Sequence, residues 1–236
     1  RLSRDGNVQY IQQATKTSLD NYAGILAMEN KVVTKKILAS QGIRVPKGMS
    51  YSDAQTALSD FSLFSGQAIV IKPKTTNFGK GITILKENTN AAVYERAVAI
   101  AFEEDKNILI EEFIAGREFR IFVMDNEVVG ILHRVPANVT GNGKLTIGEL
   151  VAMKNEDPLR GKGYRTPLEK INLGEAEEMF LALQGKTFKT IPADGETVFL
   201  RENSNISTGG DSIDFTDDVH ESYKAIAVKA AQALNV

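Results

Sequence analysis

Three short apolar runs between residues 67 and 113 constrain the fold of this chain most strongly. The runs read QAIVIKP, GITIL and NILIEEF, and their length and β-branched content are typical of buried strands. Between the second and third runs lies TNAAVYERAVAIAFEED, whose small and apolar residues recur at helical spacing. This segment therefore predicts a helix between the second and third strands. The residues of this helix that we expect to face a core are Ala92, Val93, Ala97, Val98 and Ala101.

The flanking segments predict further elements. ENKVVTKKILASQG predicts a helix that ends at Gly42, and DAQTALSDFSLF predicts a second helix capped by Asp53. REFRIFVMD and EVVGILHRV predict a hairpin that turns at Asp125-Asn126, because these residue types tolerate the positive φ of tight turns. Residues 1–28 show no sustained period and predict an irregular lead-in. Helices are expected near 147–157 and 174–185, and the chain ends in an amphipathic helix with an apolar face of Tyr223, Ile226, Ala227, Ala230 and Leu234.

The composition excludes several classes of partner. The 236 residues carry a net charge of -2, so no basic field exists to bind nucleic acid. No apolar run approaches the roughly 20 residues that a membrane-spanning helix needs. Cysteine is absent, which excludes disulfides, thiolate metal sites and cysteine nucleophiles and is compatible with a reducing compartment. We therefore expect a cytoplasmic protein without nucleic-acid or membrane partners.

The stretch IKPKTTNFGKGI, residues 71–82, has the composition of an anion site. Lys72 and Lys74 flank Pro73 at the end of a predicted strand, and a glycine-rich loop follows. Backbone amides exposed by such a loop, backed by fixed positive charge, form a cradle suited to phosphate. The alternative is an ordinary hairpin turn with a solvated lysine, and these residues alone favour neither. The Walker, protein-kinase and Rossmann glycine patterns are absent.

About thirty residues later, ILIEEFIAGREFR forms an acidic strand end. Free backbone groups at such a strand end can pair with the edge of an adenine, and a carboxylate such as Glu118 can accept both ribose hydroxyls. The alternative for Glu111 and Glu112 is a solvated strand end, since carboxylates are usually exposed. The order of lysine strand, glycine loop and acidic strand favours a nucleotide site.

These stretches carry a family resemblance. MENKVVTKKIL, IVIKPKTTNFGKGI and ILIEEFIAGREFRIFV, in that order, resemble the ATP-grasp superfamily of carboxylate-amine ligases. RVPANVTGNGKLTIGELV, NEDPLRGKGYRTPLEK and LRENSNISTGGDSIDFTDDVH are similar to the C-terminal ligase module of bacterial bifunctional glutamate-cysteine ligase/glutathione synthetases. Cyanophycin synthetases share the RVPA and NISTGG elements, whereas NEDPLRGKGYRTP favours glutathione.

The resemblance implies an ATP-grasp fold in which two α+β subdomains close on ATP. Residues 1–28 would be a lead-in or linker, residues 29–110 the N-terminal subdomain with its glycine-rich lid, and residues 111–236 the C-terminal subdomain. The family binds its metals through an acidic residue and a Glu-x-Asn element on late strands, which would lie beyond Val236. The C-terminal portion is therefore expected to be missing, and the metal ligands stay unknown.

The resemblance also implies roles for individual residues, each by its match to a family motif. Lys31 and Lys72 would contact ATP phosphates under a lid of residues 76–81, which contains Thr76, Asn77, Gly79, Lys80 and Gly81. Glu111, Glu112 and Ile114 would form the adenine hinge, and Glu118 would accept the ribose. Arg120, Arg134 and Arg201 would face the reacting phosphates and the substrate carboxylate. The substrate loop would comprise Asn203, Asn205, Ser207, Thr208, Gly209 and Gly210.

The function implied is ATP-dependent joining of γ-glutamylcysteine and glycine through an acyl phosphate, with Mg²⁺ or Mn²⁺ as the metal. The natural protein would also carry an N-terminal glutamate-cysteine ligase domain. Two alternatives stay open. One is a cyanophycin synthetase-type ligase, and the other is a nucleotide-binding module that is inactive on its own.

The remaining polar residues favour structural roles. His133 and His220 lack a second His or a Cys to form a recognisable site. DSIDFTDD lacks the calcium-loop pattern and predicts a solvated loop. Arg160, Lys162 and Arg165 would either clamp a substrate carboxylate or line a surface loop, and the sequence favours neither.

Overall fold

The structure, a computed structural model, describes residues 2–11, 16–17, 20–75, 81–163 and 165–236. The chain forms two compact units. The first comprises Arg1–Ala115, Val123–Val128 and His220–Val236, and the second comprises Gly116–Phe122 and Val129–Val219. The subdomain boundaries at residues 28/29 and 110/111 stay a prediction. Among the described residues, no helix has the length and apolar character needed to cross a membrane.

Helices and strands occur together along the described chain. Up to residue 112 they are β1 (Leu2–Arg4), β2 (Asn7–Gln9), α1 (Tyr22–Glu29), α2 (Lys31–Ser40), β3 (Gly48–Tyr51), α3 (Ala54–Ser59), α4 (Phe61–Phe64), β4 (Ile69–Pro73), β5 (Thr83–Leu85), α5 (Ala91–Glu104) and β6 (Ile108–Glu112). Beyond it they are β7 (Glu118–Met124), β8 (Glu127–Val135), β9 (Asn138–Thr140), α6 (Ile147–Lys154), β10 (Arg160–Gly161), β11 (Leu168–Glu169), α7 (Glu175–Ala182), β12 (Thr197–Phe199), β13 (Asp211–Asp214) and α8 (Glu221–Leu234). The predicted α+β class is confirmed.

The first unit is built on a four-stranded sheet in the order β3-β6-β4-β5, with each neighbouring pair antiparallel. Ile71 lies opposite Ile110, and both are fully buried against helix α5. Because side chains alternate along a strand, the neighbouring residues Lys72 and Glu111 lie on the other face. The three apolar runs thus form adjacent strands, and one face of their sheet carries the charged residues.

The buried stripe of α5 differs from its predicted one. Tyr94, Ala97, Val98 and Ala101 are buried, while Ala92 and Val93 are exposed. The buried positions follow i, i+3, i+4 and i+7 spacing from the tyrosine, which places residues 92 and 93 off the stripe. The Tyr94 hydroxyl donates a hydrogen bond to the carbonyl of Ala57 at 2.8 Å, so its burial leaves no polar atom without a partner.

Capping residues define the helix ends that the sequence predicted. The Asn30 side chain accepts hydrogen bonds from the amides of Val32 and Val33 at the start of α2, and Gly42 follows its end with φ of 70°. Asp53 caps α3 as predicted. The single helix predicted over DAQTALSDFSLF is divided at Asp60, which ends α3 and accepts a hydrogen bond from a tyrosine hydroxyl.

The prediction for the start of the chain is wrong, whereas the helix predicted for its end is confirmed as α8. The irregular lead-in predicted over 1–28 contains the β1-β2 hairpin and helix α1. Helix α1 packs against α8, and a side chain at Gly24 would meet the carbonyl of Leu234, a contact that local periodicity cannot reveal. In α8, Ala227, Ala230 and Leu234 are half-buried, but Tyr223 and Ile226 are 57% and 50% exposed. The predicted apolar face is therefore only partly covered.

The second unit contains a three-stranded sheet in the order β13-β8-β7 and a separate antiparallel pair, β9 with β12. The turn between β7 and β8 is confirmed at Asp125-Asn126, with φ values of 48° and 67°. The hydrophobic core of the second unit joins β9 and β12 to helices α6 and α7. The buried members of this core are Ala137, Val139, Ile147, Leu150, Val151, Ile171, Leu181, Val198 and Leu200.

Gly48 is expected to tolerate no side chain. A Cβ there would meet the carbonyl of Ile110 and lie 2.7 Å from the Cα of Glu111. Overpacking of this kind costs about 1–3 kcal/mol, so Gly48→Ala should lower the free energy of unfolding by that amount in urea titrations. The matched control is Gly130→Ala, also in a strand, where a Cβ would have no atom within 4 Å. Equal effects of the two substitutions would contradict the packing described here.

Candidate functional site

Three lysines and one glutamate gather on the charged face of the first unit's sheet. Lys31 and Lys35 lie one helical turn apart on α2, Lys72 lies on β4, and Glu111 lies on β6. We call these four residues the lysine cluster. Gly48 lies opposite Glu111 on β3, and its missing side chain leaves room for that carboxylate.

The Glu111 carboxylate is the centre of the lysine cluster. Its side chain is only 2% exposed, and Lys35 Nζ lies 2.5 Å from its Oε1 while Lys72 pairs with its Oε2. Burial alone would raise the pKa of Glu111, but the hydrogen bonds and charges of Lys35 and Lys72 hold this pKa below its ordinary value. The carboxylate is therefore ionised at neutral pH and fixes two lysines that come from different elements.

Lys31 completes a positive field. Its Nζ donates a hydrogen bond to the carbonyl of Lys74 at 2.9 Å. Burial and the nearby Lys72 lower the pKa of Lys31, against the opposing charges of Asp105 and Glu111. Three ammonium groups face the Glu111 carboxylate and, beside Lys31, the Asp105 carboxylate, so the positive charges remain in local excess. Such a cluster attracts anions, and a chain of phosphates suits it.

Both ends of the glycine-rich loop are fixed by the first unit. The amide and hydroxyl of Thr75 each donate a hydrogen bond to Asp105 Oδ2 at 2.7 Å. Gly81 has φ of 69°, and a Cβ there would lie 2.7 Å from the ring of Pro73. Lys31 holds the carbonyl of Lys74 beside the first of these ends. The predicted lid residues Thr76, Asn77, Gly79 and Lys80 lie outside the described part of the chain.

The predicted adenine hinge follows β6. Glu111 turns into the lysine cluster, and Glu112 Oε1 accepts a hydrogen bond from the Lys47 amide at 2.8 Å. Ile114, two residues further, is 60% exposed. The solvated strand end is therefore wrong for Glu111, because its carboxylate is buried and paired.

A second polar cluster lies in the second unit, and we call it the arginine–glutamate cluster. Arg134 Nη1 lies 3.2 Å from Glu118 Oε1, and Arg134 Nη2 donates a hydrogen bond to Asn205 Oδ1 at 2.9 Å. The hydroxyl of Ser204 donates to Glu118 Oε2. Arg120 lies two residues from Glu118 along β7, so it emerges on the same face of the strand.

Arg201 lies in a different charged pair. Its Nε contacts Glu177 Oε1 at 2.6 Å, and the Glu177 side chain is 2% exposed and also accepts a hydrogen bond from the Gly174 amide. This pair joins α7 to the segment after β12. The structure thus brings Arg120 and Arg134 close to Glu118 but holds Arg201 against a buried carboxylate.

The predicted substrate loop is a compact turn built on a 3-10 helix, Ile206–Thr208. The Thr208 hydroxyl bridges to Asn203 Oδ1 at 3.1 Å, and the Gly210 amide donates to the carbonyl of Asn205. Gly209 has φ of 88°, and a Cβ there would lie 2.7 Å from Ile171. The predicted residues of the loop therefore share one ordered turn, in which Ser207 is half-buried.

Sequence reasoning missed the buried charge pair that anchors this loop. Arg160 is 4% exposed, pairs with Asp211, and donates hydrogen bonds to the carbonyls of Glu169 and Gly209. Lys154 Nζ contacts the same aspartate at 2.7 Å. Arg160 is thus neither a surface residue nor an accessible clamp, whereas Lys162 and Arg165 are exposed. The only sequence signal was an arginine in a glycine-rich loop.

The solvated loop predicted over DSIDFTDD is wrong for Asp211–Asp214, which form strand β13 beside β8. The carboxylates of this segment and the two histidines have structural contacts. Asp211 belongs to the pair with Arg160, and the Asp214 carboxylate accepts hydrogen bonds from Thr216. His133 packs between the rings of Phe119 and Phe215, and His220 caps α8. Within the described ranges, no group of three or more His, Cys, Asp or Glu side chains is arranged to hold a metal ion.

Comparison with known proteins identifies the fold and the family. The family model for sugar-transfer associated ATP-grasp proteins matches residues 7–130, which is more than half of the chain. The chain belongs to the ATP-grasp family. This fold implies the use of ATP, in agreement with the anion-attracting lysine cluster.

The most informative relatives are glutathione biosynthesis bifunctional proteins. The chain is 60% identical over 235 residues to that of Desulfotalea psychrophila and 61% identical over 233 residues to that of Clostridium perfringens. The two matches include 100% and 99% of this chain but only 30% of each relative. The chain therefore spans about a third of the length of these relatives.

Solved structures agree with this assignment. The chain is similar to a bifunctional glutathione synthetase from Pasteurella multocida, with 48% identity, a TM-score of 0.67, and coverage of 99% of this chain and 31% of that one. A D-alanine–D-alanine ligase from Bacillus anthracis, at 14% identity and a TM-score of 0.50, shares the fold over 91% of this chain and 51% of its own. The predicted ATP-grasp fold is confirmed.

Replacing Glu111 by glutamine should destabilise the first unit and change its pH dependence. A buried ion pair that loses one partner costs about 3 kcal/mol, and Glu111→Gln leaves two lysines facing a neutral group. The folded state lowers the pKa of Glu111 from its ordinary value of 4.5, so this stabilisation is present above 4.5 and lost as the pH falls through the lower folded-state value.

Urea unfolding between pH 3 and 7 measures both effects. The wild type should lose stability more steeply below pH 4.5 than Glu111→Gln does. Glu221→Gln is the control, because Glu221 is 80% exposed and its ion pair with Lys224 lies within a single helix. If the free energy of unfolding of Glu111→Gln fell as steeply below pH 4.5 as that of the wild type, other carboxylates would be responsible for the acid dependence.

Proposed function

We propose that the chain is the ATP-dependent ligase portion of an enzyme that makes glutathione from γ-glutamylcysteine and glycine. The observation that carries the proposal is identity of 60% and 61%, over essentially the whole chain, to two glutathione biosynthesis bifunctional proteins. Because the chain spans about a third of those relatives, the complete activity belongs to a longer protein. An N-terminal glutamate-cysteine ligase domain is the fusion partner that we propose.

The residues of the lysine cluster suit the nucleotide. Lys31 and Lys72 would contact the ATP phosphates, and Glu111 would keep Lys72 in place by its ion pair. Residues 76–81 would cover the phosphates. The backbone after Glu111, with Glu112 and Ile114, would contact the adenine, and Glu118 would accept hydrogen bonds from the ribose hydroxyls.

The chemistry of the proposal is activation of a carboxylate. An oxygen of the γ-glutamylcysteine carboxylate attacks the γ-phosphorus of ATP, and the bond from that phosphorus to the β-phosphate bridging oxygen breaks to release ADP. The amine of glycine then attacks the acyl phosphate, the carbon–oxygen bond breaks, and phosphate leaves with the oxygen that came from the carboxylate. The amine loses a proton as the peptide bond forms.

The side chains of this protein would act mainly by position and charge. Arg120 and Arg134 would neutralise the phosphates or the substrate carboxylate, and Arg134 is already aligned by Glu118 and Asn205. Arg201 would act from the fixed position that Glu177 gives it. The acid and amine would bind at the loop formed by Asn203, Asn205, Ser207, Thr208, Gly209 and Gly210.

A divalent metal, Mg²⁺ or Mn²⁺, stays a prediction. Such an ion supplies charge neutralisation at ATP phosphates when it is bound. The described residues offer no cluster that fits it, so we assign it no ligand and derive no step through it. The cytoplasmic setting and the boundaries at residues 28/29 and 110/111 are likewise part of the proposal.

The test is nucleotide turnover by the complete natural protein. ADP formation, followed with a coupled assay, should require γ-glutamylcysteine and glycine together, and glutathione should form in equal amount. Lys72→Met should weaken ATP binding about 10- to 100-fold, the effect of losing a charged hydrogen-bond donor. Lys36→Met removes an exposed lysine from the same region and should leave ATP binding unchanged.

Two results would contradict the proposal. The first is a folded protein that makes ADP only with a polymer of aspartate and arginine, which would assign it to the cyanophycin type. The second is equal ATP affinity in Lys72→Met and Lys36→Met, which would remove Lys72 from the nucleotide site.

A further inference from the structure

The Glu118 carboxylate is held at both oxygens in the arginine–glutamate cluster. Arg134 Nη1 lies 3.2 Å from Oε1, and the Ser204 hydroxyl donates a hydrogen bond to Oε2. The Glu118 side chain is nevertheless 56% exposed, whereas Ser204 is 6% exposed. A buried hydroxyl and a half-buried guanidinium therefore fix the orientation of a carboxylate whose outer side faces solvent.

The acceptor capacity of Glu118 fits a diol. An ionised carboxylate has about four lone-pair positions, two on each oxygen. Arg134 and Ser204 use one on each oxygen, which leaves one on each for a further donor. A vicinal diol such as that of ribose carries two hydroxyl donors on adjacent carbons. Glu118 can accept both without losing either of its protein partners.

Both partners of Glu118 are connected to the predicted substrate loop. Ser204 lies inside the segment, and Arg134 Nη2 donates to the side chain of the next residue, Asn205. In the part of the chain that the structure describes, the buried Arg134 Nε has no hydrogen-bond partner. The guanidinium is therefore oriented by Glu118 on one side and by Asn205 on the other.

The substrate loop cannot easily absorb a movement at Ser204. The carbonyl of Asn205 accepts hydrogen bonds from Thr208 and Gly210, and the carbonyl of Gly209 is held by Arg160, which is buried with Asp211. A displacement of Glu118 is therefore transmitted into the turn.

We infer that Ser204 is a positioning residue that links the nucleotide ribose to the substrate loop through Glu118. Its hydroxyl orients the carboxylate for the diol, and the bound diol in turn holds Ser204 and Asn205 in the turn. This inference rests on the proposed function. The sequence motifs did not indicate a role for Ser204. Its partner Glu118 lies 86 residues away, and the predicted substrate residues Asn203 and Asn205 lie on either side of it.

The test combines removal of the Ser204 hydroxyl with removal of the ribose hydroxyls. Affinities for ADP and for 2′,3′-dideoxy-ADP are measured by calorimetry on the complete natural protein, for the wild type and for Ser204→Ala. The wild type should prefer ADP about tenfold, the effect of charged hydrogen bonds to the diol. In Ser204→Ala the preference should fall to about threefold or less, since residues in contact are not additive.

Ser59→Ala is the matched control. Its hydroxyl takes no part in the arginine–glutamate cluster, because Ser59 is an exposed residue of α3 and donates to the carbonyl of Thr56. This variant should keep the wild-type preference. A general loss of structure in Ser204→Ala would weaken both nucleotides equally and leave their ratio unchanged, so the ratio separates positioning from stability. Should Ser204→Ala fail to fold, Ser204→Cys keeps the volume with a weak donor, and its ratio is measured instead.

The outcomes separate this inference from the proposed function. A wild type that binds no ADP would overturn both. A wild type that binds both nucleotides equally would remove Glu118 from the ribose, which would overturn the inference and that one residue assignment but leave the proposed ligase activity standing. A wild type with a clear preference that Ser204→Ala retains would also overturn the inference alone, leaving the nucleotide site intact.

Discussion

The ion pairing of the buried Glu111 carboxylate is the interaction on which the lysine cluster of the first unit depends. Glu111 lies on β6, faces a glycine on β3, and pairs with a lysine from α2 and another from β4. A buried charge is costly unless it is paired, and here the pairing brings helix and sheet together. The same pairing brings together Lys35 and Lys72, whose charged groups would otherwise repel each other. One side chain thus joins helix to sheet and positions Lys72, which we propose for the nucleotide site.

The second unit repeats this principle with different residues. Asp211 is paired with Arg160 and Lys154, and Glu177 is paired with Arg201. Each pair joins segments that are distant in sequence, and each lies at an end of the substrate loop or next to it. Glu118 differs because it is exposed on one side while Arg134 and Ser204 hold the other. It is the acidic residue of this cluster with acceptor positions left for a ligand.

The sequence predicted those features that depend on neighbours along the chain. The strand runs, the Asp53 cap, the helix end at Gly42 and the Asp125-Asn126 turn are local features, and the structure contains them. The order of Lys31, Lys72 and Glu111 along the chain also supported the prediction of a nucleotide site, because this order does not depend on folding.

Partners that meet only through folding could not be predicted. Lys35 lies 76 residues from Glu111, and Arg160 lies 51 residues from Asp211. Nothing in their local patterns distinguishes them from solvated charges. Helix α1 was missed for a related reason, because its contact with α8 joins the two ends of the chain. The helix α8 was predicted correctly from its amphipathic spacing, but such spacing does not reveal that Tyr223 and Ile226 are exposed.

The central claim is that this chain serves carboxylate activation by ATP, and oxygen tracing tests it most directly. The complete natural protein is supplied with ATP, glycine and γ-glutamylcysteine whose cysteinyl carboxylate carries ¹⁸O at both oxygens. An acyl phosphate transfers one carboxylate oxygen to phosphorus, so each inorganic phosphate released should contain one ¹⁸O atom. Inorganic phosphate free of ¹⁸O, formed while glutathione accumulates, would contradict the account.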